Sequence, residues 1–229
     1  MQPIAIIHTP FPEKFSIPRQ PGLAPSVRAT IELTGDYNHN ASIKGIEQHS
    51  HLWLLFQFHQ HVDKQWQEQV RPPRLGGNQS LGVFATRSPF RPNNLGLSVV
   101  KLLAVESEPN TRLVVSGTDL LDKTPIVDIK PYVPYVDCIN EASSDFAGTK
   151  PAQLQVIFAP QAKQQLQQFC RQVPELEAVI REVLSQDPRP AYQKQQPQRQ
   201  YASKLFDYDI HWHVEDQQLI VEEIRPLAP

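Results

Sequence analysis

The chain has 229 residues, 40% of them hydrophobic and 20% charged, with a formal net charge of −2, 22 prolines and 9 glycines. That balance suits one globular domain, or a main domain with an appendage, and excludes a chain too polar to bury a core. Two cysteines, Cys138 and Cys170, are too few for a disulfide framework or a four-ligand zinc site and point to a reduced cytoplasmic compartment. Met1 to Thr9 lacks the basic and apolar segments of a signal peptide, and no apolar run approaches the roughly 18 residues of a membrane span.

From the N-terminus, runs rich in Val, Ile, Leu and Phe occur at Ile4 to Ile7, His51 to Phe58, Leu81 to Ala85, Leu95 to Val105, Arg112 to Gly117 and Thr124 to Ile129. Pro, Gly and Asn separate them, and a short helix fits Asn40 to Ile46. Closely spaced strands without a long helix after each predict an antiparallel or mixed barrel rather than a doubly wound sheet. All 9 glycines lie at or before Gly148, so the chain changes character there. The expectation is a mainly β protein: a single-sheet, β-barrel-like, non-Rossmann domain over residues 1–148 and a small α+β domain over residues 149–229. In the second, Leu154 to Phe158 reads as a strand, followed by Gln161 to Gln172 and Pro174 to Ser185. Leu176, Val179, Ile180, Val183 and Leu184 recur at helical spacing, and Asp187-Pro188-Arg189-Pro190 stops that helix. Lys204 to His213 and Gln218 to Ile224 read as a hairpin turning near Glu215-Asp216.

Charge is unevenly spread. Gln69 to Val105 holds Arg71, Arg74, Arg87, Arg91 and Lys101 with no acidic residue, a local charge of +5. Arg189 to Lys204 holds Arg189, Lys194, Arg199 and Lys204, again without Asp or Glu, with Tyr192 and Tyr201 between them. Cations interleaved with aromatics suit a phosphate backbone and unpaired bases. Either window alone fits a solvated loop equally well, but two in a near-neutral chain favour a polyanion. The Pro- and Asn-rich stretch Gly82 to Ser98 presents Arg87 and Arg91, each a bidentate fork for phosphate or carboxylate, or else a partner in an internal salt bridge. Asp119, Asp122 and Asp128, with Lys123 and Lys130, either orient a ligand's ribose, amine or hydroxyl or cap turns.

His49 and His51, and His59 and His61, have the spacing of ligands on one strand face. On a single extended strand His51 and His59 would stand roughly 26 Å apart, so no metal site is expected. His59-Gln60 instead suits a hydrogen-bonding edge of a small-ligand pocket. Leu75-Gly76-Gly77-Asn78 fits neither a dinucleotide fingerprint nor a P-loop, and no nucleophile elbow occurs.

Pro18-Arg19-Gln20-Pro21-Gly22, Ser50-His51-Leu52-Trp53, Arg71 to Gly77, Gly82 to Ser98, Asp122 to Tyr132 and Asp187 to Tyr192 together resemble the TsaA/TrmO family over nearly the whole chain. These are bacterial tRNA (adenine-N6)-methyltransferases that act on threonylcarbamoyladenosine beside the anticodon, using S-adenosylmethionine. The resemblance implies a non-Rossmann barrel that binds the cofactor, a homodimer with the cofactor near its interface, and a C-terminal domain that assists tRNA binding. It places cofactor contacts on Pro18, Arg19, Gln20, His59, Gln60, Arg87, Leu97 and the turn Asp122, Lys123, Thr124 and Pro125, where Lys123 replaces a frequent Gly. Asp128 or His59 is then expected to take or relay the acceptor's proton. Arg87 or Arg91 is expected to hold the threonyl carboxylate or an anticodon phosphate, and Arg91, Arg189, Tyr192, Lys194 and Arg199 to face tRNA. The competing reading is a non-enzymatic S-adenosylmethionine sensor that binds RNA.

Overall fold

The computed structural model describes residues 1–72, 79–145, 147–190, 193–194 and 199–228. Strands β1 (Ala5–His8), β2 (Arg28–Leu33) and β3 (His51–Gln57) are followed by a two-stranded ribbon of β4 (Gln69–Val70) and β5 (Leu81–Gly82). Then come β6 (Leu95–Glu106), β7 (Arg112–Ser116) and β8 (Thr124–Pro131). Six of these close into a barrel in the order β1-β2-β7-β6-β3-β8, and every pairing is antiparallel. Closure removes the exposed strand edges that an open sheet would present.

Alternation sets the inside. In β3, Leu52, Leu54 and Phe56 are buried while Trp53, Leu55 and Gln57 look outward, as a period of two requires. Phe56 lies across Gly96 on the neighbouring strand, where a β-carbon would sit 2.1 Å from its ring. Only glycine permits that approach. The Leu81 to Ala85 run forms a strand only at its start, because Val83–Ala85 turns into a 3₁₀ helix that buries Val83. The helix expected at Asn40 to Ile46 is two 3₁₀ turns, Asn40–Ile43 and Ile46–Gln48, with Gly45 between them in a left-handed conformation at φ 89°. β2, whose Ala29, Ile31 and Leu33 are buried in alternation, was not anticipated.

Because successive barrel strands run up and down, their connections alternate between the two ends. Residues 9–27, 58–94 and 117–123 all cross at one end, beside His8, Gln57, Leu95 and Thr124.

After α1 (Pro134–Asp137), the C-terminal unit contains β9 (Gln155–Phe158), α2 (Pro160–Phe169), α3 (Leu176–Leu184), β10 (Tyr201–Leu205), β11 (Tyr208–Glu215) and β12 (Gln218–Pro226). Its sheet order is β10-β11-β12-β9, with β9 parallel to β12. The apolar stripe of α3 is wholly buried, as its spacing predicts. The run from Lys204 to His213 is not one strand: Phe206, at φ 54°, turns the chain between β10 and β11.

The second hydrophobic core is not confined to the C-terminal unit. Phe11, Ala24 and Val27, from the β1–β2 connection, are buried in it with Leu184, Trp212 and Leu219. Polar contacts reinforce this docking. Ser16 and Ser203 share a buried hydroxyl hydrogen bond of 2.6 Å. The Ser26 amide and hydroxyl donate to Glu182 at 2.8 and 2.7 Å, and the Phe206 amide donates to the Pro10 carbonyl at 2.8 Å.

Candidate active site

The three connections at one end of the barrel are locked to one another. The Gly22 amide donates to the Gly117 carbonyl at 2.8 Å, and a β-carbon on Gly117 would stand 3.4 Å from the Gly22 Cα. Glycine at φ 75° in both positions lets the two backbones meet. This contact fixes the Pro18 to Gly22 loop, from which the Gln20 amide oxygen accepts a hydrogen bond from the Arg87 guanidinium.

Two residues beyond Gly117, Asp119 accepts a 2.5 Å hydrogen bond from the Ser98 hydroxyl, and Ser98 is itself buried. Burial pushes the Asp119 carboxyl up to about 6, against the opposing pull of the Ser98 hydrogen bond and the Arg87 charge. Further along, the Asp122 carboxylate accepts the Thr9 amide at 3.0 Å. Lys123 takes a left-handed conformation at φ 61°, and its amide donates to the Ile7 carbonyl at 2.9 Å. That backbone explains why glycine suits the position: Lys123 keeps the turn at a conformational cost. The Thr124 hydroxyl closes the turn on the Leu121 carbonyl at 2.6 Å.

His59 opens a 3₁₀ turn, His59–His61, rather than continuing a strand. Burial lowers its pKa, the Lys14 charge lowers it further, and Asp122 opposes both. His61 is lowered by burial and then by Lys14, Lys64 and His59. Its ring lies edge-on to Phe90, with centroids 5.0 Å apart. The Lys14 ammonium stands 3.5 Å from His61 Nδ1, a geometry in which Lys14 donates to a neutral imidazole. The mouth of the barrel thus combines an imidazole whose pKa is lowered, a carboxyl raised to about 6 and the cations Lys14, Lys64 and Arg87. Such a set suits a ligand carrying both a cationic centre and an anionic group.

The expected site residues divide into groups. Gln20 touches Arg87, and His59 lies within the electrostatic reach of Asp122. Pro18 is buried in the same loop, whereas Arg19 and Gln60 are exposed and Pro125 begins β8 beside Thr124. Leu97 and Asp128 stand elsewhere, in one row with Leu55 on the outer face of the barrel, about 10 Å apart across two strand spacings. There Asp128 pairs with Lys130 at 3.0 Å and accepts the Ile129 amide at 2.9 Å.

The cations expected to face tRNA are used differently. Arg91 donates to the carbonyls of Val83 and Thr86 at 3.1 and 2.7 Å, bracing its own loop. Arg189 is a correction to the expected tRNA surface. Its side chain is 8% exposed, and its guanidinium forks onto Asp187 at 2.7 and 3.1 Å. The Asp187 carboxylate lies two residues before the acid-free window and engages one of its cations, Arg189, from inside. Lys194 also reaches Asp187, at 2.9 Å. Burial would raise the Asp187 pKa, but the hydrogen bonds and charges of Arg189 and Lys194 outweigh it and hold the carboxylate down. Arg199 is exposed and lies over the Tyr201 ring, 5.7 Å from its centroid. Tyr192, Arg74 and the Leu75 to Asn78 stretch lie outside the described residues. Nothing local in the sequence marks Ser98 as the partner of Asp119, 21 positions away.

Among the described residues, no group of three or more His, Cys, Asp or Glu side chains is placed to hold a metal ion. No described helix is long and apolar enough to cross a membrane.

Comparison with known proteins adds to this geometry. Residues 6–138 match the tRNA-methyltransferase O N-terminal domain and residues 151–227 the TrmO C-terminal domain. A tRNA (adenine(37)-N6)-methyltransferase of Escherichia coli is 44% identical over 226 residues, covering 97% of this chain and 96% of that one. A Pseudomonas aeruginosa relative that carries an S-adenosylmethionine-dependent methyltransferase name is 49% identical over 214 residues, 93% of this chain and 91% of its own. The crystal structure of TrmO from Pseudomonas aeruginosa superposes with a TM-score of 0.83 at 39% identity, covering 98% of this chain and 96% of that one.

Proposed function

The chain belongs to the tRNA-methyltransferase O family, and we propose that it is an S-adenosylmethionine-dependent tRNA methyltransferase that methylates N6 of threonylcarbamoyladenosine next to the anticodon. The observation that carries this reading is the convergence of Gln20, Arg87, Asp119, Asp122 and His59 on connections that meet at one end of the barrel. The donor set fits the cofactor: Asp119 and Asp122 offer negative charge to a sulfonium. S-adenosylmethionine, when bound, supplies the methyl group as an electrophile.

The chain's own residues do the rest. The acceptor nitrogen belongs to a urea-like group and must lose its proton as the new bond forms. His59, held neutral by burial and by Lys14, is suited to take that proton. Asp128 is the weaker candidate because Lys130 already engages it. Arg87 anchors the threonyl carboxylate or a neighbouring phosphate, and fixing both reactants supplies much of the acceleration. Leu97 stands apart from these residues on the outer face and would reach the cofactor only from the barrel wall.

The finer assignments follow from the same reading. The division near residue 148 separates a cofactor-binding barrel from a unit that assists tRNA docking through Arg199. Leu97, Leu103, Tyr135, Val136 and Ile139 are exposed apolar side chains that homodimerisation would cover. The enzyme works in the cytoplasm, where its substrate is.

The deciding experiment incubates the protein with labelled S-adenosylmethionine and tRNA lacking or carrying the threonylcarbamoyl group, then analyses the nucleosides. Methylated threonylcarbamoyladenosine from the second tRNA alone is expected. Cofactor binding without transfer to either would favour a sensor instead.

A further inference from the structure

Phe84 is 73% exposed although its neighbour Val83 is buried. The short 3₁₀ turn Val83–Ala85 turns one side chain into the core and the next into solvent. The ring is also firmly presented. Arg91, anchored on the Val83 and Thr86 carbonyls, holds its guanidinium 5.7 Å from the Phe84 ring centroid. The Thr86 hydroxyl caps the turn on the Val83 carbonyl at 2.9 Å, and the Asn94 amide group donates to the Pro89 carbonyl at 3.1 Å. A second aromatic, Trp66, is 48% exposed, and the strand that follows it is tied to the same loop. The Gln67 amide donates to the Phe90 carbonyl at 3.1 Å, and the Val83 amide to the Glu68 carbonyl at 2.9 Å.

A braced, solvent-facing ring is costly for a lone protein and useful to a flat partner. We infer that Phe84, on a loop tied to the segment that follows Trp66, is a stacking surface for an unpaired base of the RNA loop that carries the modified adenosine. Charge selects this occupant. The segment from Gln69 to Val105 contains no acidic residue, and its exposed Arg71 and Arg87 lie on the same connection as the ring. Arg87, three residues from Phe84, belongs to the candidate active site, so a base stacked on Phe84 would flank the one being methylated. Arg91 thereby acts as a positioning residue that holds the ring, and its guanidinium is not the phosphate contact. Stacking of a base on an aromatic side chain tolerates any sequence and contributes about 10- to 100-fold in affinity.

This inference rests on the tRNA reading above, and its test separates the two. A threonylcarbamoylated anticodon stem-loop is made with 2-aminopurine beside the modified adenosine, and a second stem-loop is made abasic at that position. Full-length wild type, Phe84→Ala and Phe84→Trp are compared. Wild type and Phe84→Trp are expected to quench the fluorescence on binding. Phe84→Ala is expected to lose the quench and about 10- to 100-fold in affinity on the intact loop, and nothing further on the abasic loop. Binding of S-adenosylmethionine and the melting temperature should not move, since Phe84 buries little. If wild type methylates the loop and Phe84→Ala binds and quenches as wild type does, the stacking surface is overturned and the function stands. If wild type neither binds nor methylates the loop, both fall. A fall in oligomeric state on Phe84→Ala, read by sedimentation, would assign the ring to a second copy of the chain and overturn the RNA occupant.

Discussion

At the barrel mouth, Arg87 is exposed and its guanidinium meets the neutral amide of Gln20. In the C-terminal unit, Arg189 is buried against the Asp187 carboxylate, which also takes Lys194 at 2.9 Å. A guanidinium bonded to an amide keeps its charge available to a ligand, whereas one forked onto a carboxylate has already spent it. Arg87 and Arg189 therefore serve different ends: the first presents its charge and the second fastens the loop that follows α3. Counting cations in a window does not distinguish these cases, because the deciding carboxylate lies just outside it.

The comparison can be broken most sharply at Asp187. Asp187→Ala strands a buried guanidinium, and chemical denaturation should show a loss of about 3–5 kcal/mol. Unchanged stability would mean that Arg189 does not depend on this partner. Arg87→Ala is expected to behave in the opposite way. Its stability should stay within about 0.5 kcal/mol of wild type, while kcat/KM for tRNA falls about 10- to 100-fold through loss of a charge-assisted contact.

Asp119 gives a smaller, pH-dependent effect. Its folded carboxyl holds a proton up to about pH 6, whereas its ordinary value is 3.8. Ionisation therefore costs stability, and stability falls as pH rises between those values, by up to about 1.4 kcal/mol per pH unit. Asp119→Asn should flatten that slope in a denaturation series. It should also remove any break in kcat/KM near pH 6, and a slope that survives the substitution would assign the titration to another group. The smallest effect belongs to Lys194→Ala. This half-exposed partner of Asp187 should cost under about 1 kcal/mol, and the tRNA-binding salt slope should barely change, in contrast with that of Arg199→Ala.

Local pattern carried much of the architecture. The buried stripe of α3 follows directly from residue spacing, and the absence of long helices between strands predicts a barrel. What local pattern could not carry was pairing at a distance. The Phe206 turn that divides Lys204 to His213 is hydrogen-bonded to Pro10, and the hydrogen-bond partner of Asp119 is Ser98. At the site, the loops bearing Gln20, Arg87 and Asp122 were legible as punctuated, charged segments. Which of their charges remain available depended on contacts made only after closure, as Arg91 and Arg189 illustrate.

The β1–β2 connection has a consequence for how the chain can be divided. Its Phe11, Ala24 and Val27 complete the hydrophobic interior of the C-terminal unit, while its Gln20 grips Arg87 at the barrel mouth. A cut near residue 148 would thus not release two finished pieces. The barrel would keep a loop with three uncovered apolar side chains, and the other fragment would lack the residues that fill it. The segment works as a shared keystone: loosening the C-terminal unit would slacken the loop whose Gln20 holds Arg87, so the barrel mouth answers to packing made in the other half of the chain.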